Sequence, residues 1–192
     1  MSDQVKDKSE AEALVGEIGR LQAMVDHLQQ QVEQLDQLAH LDPLVNLPNR
    51  RGFMRQLEQL LDRARRYGTK GAMLFVDLDG LKMINDSFGH RAGDEALMQV
   101  AGMLTSGVRR SDAVARIGGD EFAILLENAD EANAQETALR LTDVIAGCEF
   151  CHEGDALPLS VAIGVAMIEA DDVPESIMAR ADEEMYRRKA AA

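Results

Sequence analysis

The pattern of apolar and polar positions changes character near residue 41. From Leu14 to Ala39, apolar residues recur at alternating steps of four and three, which is the heptad repeat of a coiled coil. β-Branched residues at a and leucine at d favour two parallel strands, whereas a helix packed on its own domain would carry a broader apolar stripe. The seam comprises Leu14, Ile18, Leu21, Val25, Leu28, Val32 and Leu35. We therefore predict a coiled-coil helix that pairs two copies of the chain, preceded by a disordered polar segment, residues 1–9.

Beyond residue 41 the pattern is that of a mixed domain. Asp42-Pro43 ends the first helix, because the residue before a proline disfavours the α conformation, and residues 42–51 form a hinge with two prolines. Short apolar runs then alternate with segments of helical spacing, which indicates an α+β class. Predicted strands cover 72–77, 113–117, 121–126 and 158–167; predicted helices cover 53–67, 93–107, 130–146 and 174–189. The expected domains are a coiled-coil segment, residues 1–41, and a second domain, residues 42–192.

Composition narrows the functional classes. The chain has 192 residues, of which 46% are hydrophobic, and a net charge of −14. Such an acidic chain without a basic stripe is a poor binder of nucleic acid, because phosphate neutralisation supplies most of that affinity. No apolar run reaches the roughly 18 residues of a membrane span, and the polar start is unlike a signal peptide. These features predict a cytoplasmic protein, or the cytoplasmic part of a longer one, without membrane or nucleic-acid partners.

The two cysteines form a short motif with a histidine. Cys148, Cys151 and His152 match C-x-x-C-H, the attachment pattern of c-type haem. Haem attachment of that kind requires export, for which there is no signal, and a structural zinc site would need four ligands. We therefore predict two reduced thiols at a helix end.

Two pairs of carboxylates follow predicted strands. Asp77 and Asp79 come at the end of the apolar run 72–76, and Asp120 and Glu121 come directly after Gly118-Gly119, the expected tight turn of a hairpin. A buried carboxylate is costly without a cation, although a solvated acidic turn would also explain the second pair. Clusters on neighbouring strands suit two Mg²⁺ ions about 3.5–4 Å apart, the arrangement of phosphoryl or nucleotidyl transfer.

Polar residues between these pairs are suited to a nucleotide. Lys82 can place a point charge on a phosphate, and Asn85 and Asp94 can read a base edge. An aspartate that accepts two N–H bonds suits guanine. The structural alternatives are a turn at Asn85-Asp86 and a helix N-cap at Asp94.

Several ordered motifs resemble the GGDEF-domain diguanylate cyclases over roughly residues 41–189. They are D-P-L-V-N-L-P-N-R-R (42–51), D-L-D-G-L-K-M-I-N-D-S-F-G-H-R-A-G-D (77–94), R-I-G-G-D-E-F (116–122), S-V-A-I-G-V-A (160–166) and A-D-E-E-M-Y-R-R-K (181–189). The resemblance implies a ferredoxin-like βαββαβ core, akin to nucleotidyl cyclases, behind the coiled-coil helix. It also implies an enzyme that condenses two GTP into cyclic di-GMP and two pyrophosphates across a homodimer, each subunit holding one GTP.

The same resemblance implies roles for individual residues. Asp77, the carbonyl of Leu78, Asp120 and Glu121 would bind two Mg²⁺ ions, with Mn²⁺ as a substitute, and Asp120 would be the base. Asn85 and Asp94 would hold guanine, Lys82 and Lys189 would contact phosphates, and Gly118 and Gly119 would admit the α-phosphate. Arg109 and Asp112, an R-x-x-D pair, would bind product as inhibitor together with Arg140; an exposed ion pair is the alternative.

Two departures from the family pattern are visible. Leu81 stands where the family usually has phenylalanine, and the sequence ends three residues after Lys189.

Other hypotheses are a silent receptor for cyclic di-GMP, a dimerising scaffold and a cyclase for mixed dinucleotides, against which Asp94 argues. This sequence shows no sensory domain before the coiled coil, so the activating input is expected to come either from a partner or from a part of a longer protein.

Overall fold

The computed structural model describes the backbone of residues 2–191 and the side chains of residues 16–32, 35, 36 and 39–190. The chain divides into two compact units, Met1–Ala39 and His40–Ala192. Helix α1, Ser2–His40, is the helix that the heptad pattern predicts. It begins at Ser2, so the predicted disorder is wrong for residues 2–9. Within α1 the described seam residues are about half exposed or more, from 48% at Leu21 to 65% at Leu35.

The second unit is an α+β domain, as predicted. Its helices are α2 (Arg50–Tyr67), α3 (Leu81–Phe88), α4 (His90–Ser106), α5 (Glu131–Ala146) and α6 (Pro174–Ala191). Its strands are β1 (Gly71–Leu78), β2 (Ala113–Arg116), β3 (Glu121–Glu127), β4 (Phe150–His152), β5 (Asp155–Leu157) and β6 (Val161–Met167). The main sheet has the order β2-β3-β1-β6, and every neighbouring pair is antiparallel. This is the strand order of the expected βαββαβ core.

Strand β1 is the centre of the domain. Six of its eight residues, 71–76, are buried in succession, because helices cover both faces of the sheet. Leu74 and Val76 pack in the cluster that includes residues of α4 and α5, while Met73 and Phe75 pack with residues of α2 and α6. An apolar run without polar alternation is the pattern of a strand buried on both sides. The continuous buried run therefore ends at Asp77, the first residue of β1 that is only partly buried.

A small hairpin between α5 and β6 was not predicted. Strands β4 and β5 form a separate two-stranded sheet joined by Glu153 and Gly154, both of which have positive φ. Two central residues with positive φ are the requirement of a type I′ turn. The predicted strand 158–167 begins only at Val161. Cys148 follows α5 and Cys151 lies in β4 rather than at a helix end, and both thiols are free, as predicted.

Helix α6 lies unusually close to β6. A Cβ atom on Gly164 would lie 2.1 Å from the carbonyl oxygen of Ala181 and 2.2 Å from the amide nitrogen of Met185. Only glycine allows this approach, which fixes α6 on the sheet and brings its last turns to the end of β1. Among the helices that the structure describes, none has the length and apolar character needed to cross a bilayer.

Candidate active site

The carboxylates meet at one end of β1 and β3. Asp77 pairs with Glu121 in the register of these strands, and the amide of Leu78 donates to the carbonyl of Asp120 at 2.9 Å. The amide of Asp79 donates to the carbonyl of Ser160 at 2.9 Å, and the Ser160 hydroxyl donates to the Asp79 carboxylate at the same distance. The two acidic pairs that the sequence predicts on neighbouring strands are thus adjacent in the fold.

Two of these carboxylates are in an unfavourable electrostatic environment. Burial raises the pKa of Asp77, and the charges of Asp120 and Asp79 raise it further. Burial also raises the pKa of Glu121, and the charges of Asp120, Asp77 and Asp182 act in the same direction. The site therefore concentrates negative charge where water solvates it incompletely, an arrangement that a cation stabilises.

Lys189 supplies a positive charge at this point. Its ammonium group, near the end of α6, forms an ion pair with Asp77 and lies 3.5 Å from a carboxylate oxygen of Asp79. The hydrogen bond to Asp77 raises the pKa of Lys189. The side chain of Asp77 is only 14% exposed, so its burial outweighs this ion pair and its own pKa stays raised.

The loop between β2 and β3 differs from the expected tight turn. Neither Gly118 nor Gly119 has a positive φ, so conformational freedom is not the reason for glycine here. A Cβ atom on Gly118 would lie 2.2 Å from a carboxylate oxygen of Glu121, which folds back over the loop. Gly119 faces open space, since nothing lies within 4 Å of its Cβ position. The first glycine thus makes room for a side chain of the chain itself, and the second leaves the backbone accessible.

Arg116 holds this loop against the segment that follows α1. Its guanidinium donates to the carbonyl of Gly119 at 2.7 Å and to both carboxylate oxygens of Asp42 at 3.3 Å. The Asp42 carboxylate also accepts from the amides of Leu44 and Val45 at 3.0 and 3.1 Å. Both ionic side chains are largely buried, with 13% and 19% exposed. The predicted hinge is thus an ordered turn in contact with the glycine loop.

The chemistry of the donors suits a hard divalent cation, but their present geometry is not that of a formed metal site. Carboxylates and a backbone carbonyl are the ligands that Mg²⁺ prefers, and the raised pKa values mark acids in need of positive charge. Among the described residues, however, no three histidine, cysteine or acidic side chains converge closely enough to hold a metal ion. The residues are of the types that bind such an ion. In this conformation the positive charge beside them comes from Lys189.

The residues predicted to hold a base lie together on α3 and α4. Asn85 packs against Gly93, where a Cβ atom would lie 2.1 Å from the Asn85 amide oxygen. Asp94 is the next residue and is exposed, as is Lys82 on α3. Asp94 lies within the first turns of α4, whose N-cap is Gly89, so the alternative of an N-cap at Asp94 is wrong. Asn85 lies inside α3 rather than in a turn.

A cavity of about 340 Å³ lies at the opposite end of β3, where Arg109, Asp112 and Arg140 are all among its lining residues. The Asp112 carboxylate accepts from the amides of Arg109 and Glu127 at 2.9 and 3.1 Å. The guanidinium of Arg140 donates to the carbonyl of Gly107 at 2.7 Å. Asp112 is thus held by backbone amides, and the structure describes no ion pair between it and Arg109.

Sequence reasoning missed several residues around the acidic cluster. Arg116 lies two positions before Gly118, and Ser160 begins the motif of β6, so both lie in motifs of the sequence but had no assigned role. Asp182 and Arg50 act on Glu121 through their charge, the arginine lowering its pKa. Their approach depends on tertiary packing of α6 and α2, for which the sequence offers no local signal.

The matching family model is "Diguanylate cyclase, GGDEF domain", over residues 39–192. The chain belongs to this family. It is 34% identical over 201 residues to diguanylate cyclase DgcP of Pseudomonas aeruginosa, covering all of this chain and 30% of that protein. It is 37% identical over 169 residues to response regulator PleD of Caulobacter vibrioides, covering 86% of this chain and 37% of that protein. The chain thus spans about a third of the length of these relatives.

A solved structure agrees with the fold of this GGDEF protein. The coiled coil and GGDEF domain of DgcB from Caulobacter crescentus, in complex with c-di-GMP, matches with a TM-score of 0.87 and 25% identity. The match covers 93% of this chain and 95% of that one. The expected family and α+β fold are confirmed.

Proposed function

We propose that this chain is a diguanylate cyclase that condenses two GTP molecules into cyclic di-GMP and two pyrophosphates. The observation that carries this proposal is the pairing of Asp77 with Glu121 beside Asp120, three acids crowded at a partly buried sheet end with raised pKa values at two of them. Such a cluster is suited to a metal-bound triphosphate. Membership of a family named for this activity supports the same reaction.

The metal ligands in this proposal are Asp77, the carbonyl of Leu78, Asp120 and Glu121. Bound there, two Mg²⁺ ions, or Mn²⁺ in their place, would neutralise the triphosphate and polarise the α-phosphate. Lys189 would leave Asp77 when an ion binds and would then be free to contact a phosphate. The open space at Gly119 leaves room for the phosphate chain against the backbone.

Asn85 and Asp94 would hold the guanine base, with Asp94 accepting from the two N–H donors on its Watson–Crick edge. Lys82, exposed on α3, would contact a phosphate. The 3′-hydroxyl of one GTP attacks the α-phosphorus of the other, and the bond to pyrophosphate breaks as the new phosphodiester forms. Asp120 would take the proton of the attacking hydroxyl. Positioning and charge neutralisation supply most of the rate enhancement in such transfers.

Because each domain would hold one GTP, two domains must face each other. The exposed apolar seam of α1 supports a parallel homodimer, since Ile18, Val25 and Val32 are 51–65% exposed in the single chain. Pairing these helices would bury the seam and raise the effective concentration of one domain near the other. An upstream sensory partner acting through this helix is part of the same proposal.

The cavity of Arg109, Asp112 and Arg140 would bind the product as an inhibitor. Two arginines among its lining residues suit the guanines and phosphates of cyclic di-GMP. The preformed Asp112 turn favours this role and also a second candidate function, a receptor for cyclic di-GMP without activity. The intact acidic cluster favours the enzyme.

The deciding experiment is incubation of the purified chain with GTP and Mg²⁺, with nucleotides separated by chromatography. We expect cyclic di-GMP and two pyrophosphates per product molecule, and no product from Asp120→Asn. If no product formed at any protein concentration while the chain still bound cyclic di-GMP, the result would contradict the enzyme and support the receptor function.

A further inference from the structure

His152 and Glu95 form a contact that has no role in the proposed function. His152 is only 5% exposed, at the end of β4, and its Nδ1 lies 2.7 Å from a carboxylate oxygen of Glu95 on α4. The other carboxylate oxygen accepts from Nε of Arg91 at 3.1 Å. The hydrogen bond from His152 lowers the pKa of Glu95, as expected for a carboxylate that accepts it. Glu95 therefore connects the small hairpin to the second turn of α4.

The hairpin is a fixed support for this contact. Phe150 and Leu157 at its base are buried in the main core, and a two-residue turn closes it directly beside His152. Two strands alone are marginal in water, so the hairpin depends on such anchors. A buried imidazole needs a hydrogen-bond partner, and Glu95 provides it.

Helix α4 lacks side-chain stabilisation of its first backbone amides. Its N-cap, Gly89, offers no side-chain hydrogen bond, and its first turn has no acidic residue to offset the helix dipole. Three consecutive residues of α4 then point in directions about 100° apart around the axis. Gly93 contacts Asn85, Asp94 is exposed toward solvent, and Glu95 contacts His152. Asp94 thus lies between two residues of α4 that contact other parts of the fold.

We propose that Glu95, held by His152, is a positioning residue that orients α4 so that Asp94 meets the guanine of GTP. The inference rests on the proposed function, because it takes Asp94 as the guanine-binding group. Neither Glu95 nor His152 would touch the nucleotide. Loss of their contact would let the first turns of α4 rotate and weaken base recognition, while the acids at the end of β1 stay in place.

The test compares two substitutions of His152 in the full chain. His152→Phe keeps a ring and removes the donor, whereas His152→Asn retains an N–H close to the position of Nδ1. We expect His152→Phe to raise the KM for GTP roughly tenfold, the effect of one charge-assisted hydrogen bond, with kcat nearly unchanged. It should also reduce the preference for GTP over ITP, which lacks the 2-amino group. His152→Asn should restore both values.

Two further variants separate a loss of positioning from a general loss of stability and from a wrong assignment of Asp94. Ile145→Val, at a buried position of α5, lowers stability while keeping both His152 and Glu95, and shows what lost stability alone does to KM. Asp94→Asn tests the guanine assignment itself. If Asp94→Asn reduced the preference for GTP over ITP but His152→Phe lowered only the melting temperature, as Ile145→Val does, the positioning role would be overturned. If Asp94→Asn left that preference intact, the guanine assignment would fail and this inference with it.

Discussion

Lys189 is the residue whose position says most about the proposed metal site. Its ammonium lies between Asp77, which is a proposed metal ligand, and Asp79. A cation already present must be displaced before an ion can use the same oxygens. Lys189 should therefore oppose metal binding before nucleotide arrives and assist phosphate binding afterwards.

Lys189→Gln should accordingly bind Mn²⁺ more tightly than the unmodified chain in the absence of nucleotide, by roughly threefold to tenfold after allowance for solvent screening. The measurement is a titration of Mn²⁺ followed by electron paramagnetic resonance. Lys82→Gln is the matched control, because Lys82 is exposed on α3 and should leave the Mn²⁺ affinity unchanged. Equal affinities for the two variants would contradict the competition.

Glu121 illustrates a residue kept at a cost to stability. Its carboxylate is partly buried, its pKa is raised by burial and by neighbouring acids, and Gly118 makes room for it. Replacing it by the neutral Gln removes this unfavourable charge and should raise the melting temperature of the free protein. The increase should be small, roughly 1–3 °C, because the site is still partly solvated. Glu127→Gln at the other end of β3 should lower it, because Glu127 pairs with Arg63. Calorimetry of both variants checks the opposite signs.

The pH dependence of the cation effect follows from the same pKa shifts. A carboxyl whose pKa is raised on folding favours the protonated folded state, so stability falls as the pH rises from the ordinary values, 3.8 for Asp and 4.5 for Glu, through the raised ones. Added Mg²⁺ should therefore raise the melting temperature at neutral pH and have little effect below pH 3.8, where Asp77 and Glu121 are mostly protonated. If Mg²⁺ raised the melting temperature equally at both pH values, the ion would be binding elsewhere.

At the scale of elements, α6 depends on one close contact with β6. Gly164→Ala would place a methyl group 2.1 Å from the carbonyl of Ala181, and the helix that carries Lys189 would have to move. We expect a loss of about 1–3 kcal/mol, typical of overpacking, together with reduced turnover. Gly102→Ala on α4 is the control: nothing lies within 4 Å of its Cβ position, and alanine in a helix interior should stabilise by about 0.5–1 kcal/mol. Urea unfolding measures both.

The elements that the sequence predicted well are those with long or uniform patterns. The apolar run 72–76 indicated β1, and the heptads indicated α1. The hairpin β4–β5 was missed because its strands have three residues each and its turn is Glu-Gly rather than the common Asn-Gly. Pro158 and Ser160 stood inside the predicted strand 158–167, and the observed strand begins after them.

Parts of the site were predictable for a similar reason. Asp77 and Asp120 adjoin strands that the pattern reveals, so their proximity followed from strand pairing. The contact of His152 with Glu95 joins residues 57 positions apart, and that of Lys189 with Asp77 joins residues 112 positions apart. Such pairs depend on how α4 and α6 lie on the sheet, which local pattern does not encode.

At the scale of the whole molecule, activity should depend on pairing through α1. Val25→Lys with Val32→Lys places charges at two a positions of the seam and should dissociate the proposed dimer. Activity per chain should then fall at least tenfold at low protein concentration and recover partly at high concentration. Gln30→Lys, outside the seam on the same helix, is the control and should change neither value. Light scattering alongside the assay reports the mass, and an active monomer would contradict the proposal.

Strand β3 joins the two candidate sites, with Glu121 at the acidic cluster and Glu127 at the cavity of Arg109 and Asp112. A seven-residue strand spans about 20 Å, and its five inner residues are buried between neighbours on both sides. Such a strand bends little, so an occupied cavity could not easily distort the acids at its far end. If the product binds in this cavity as an inhibitor, as proposed, it would then act by halting the approach of one domain to another, leaving the affinity for a single GTP unchanged while turnover stops.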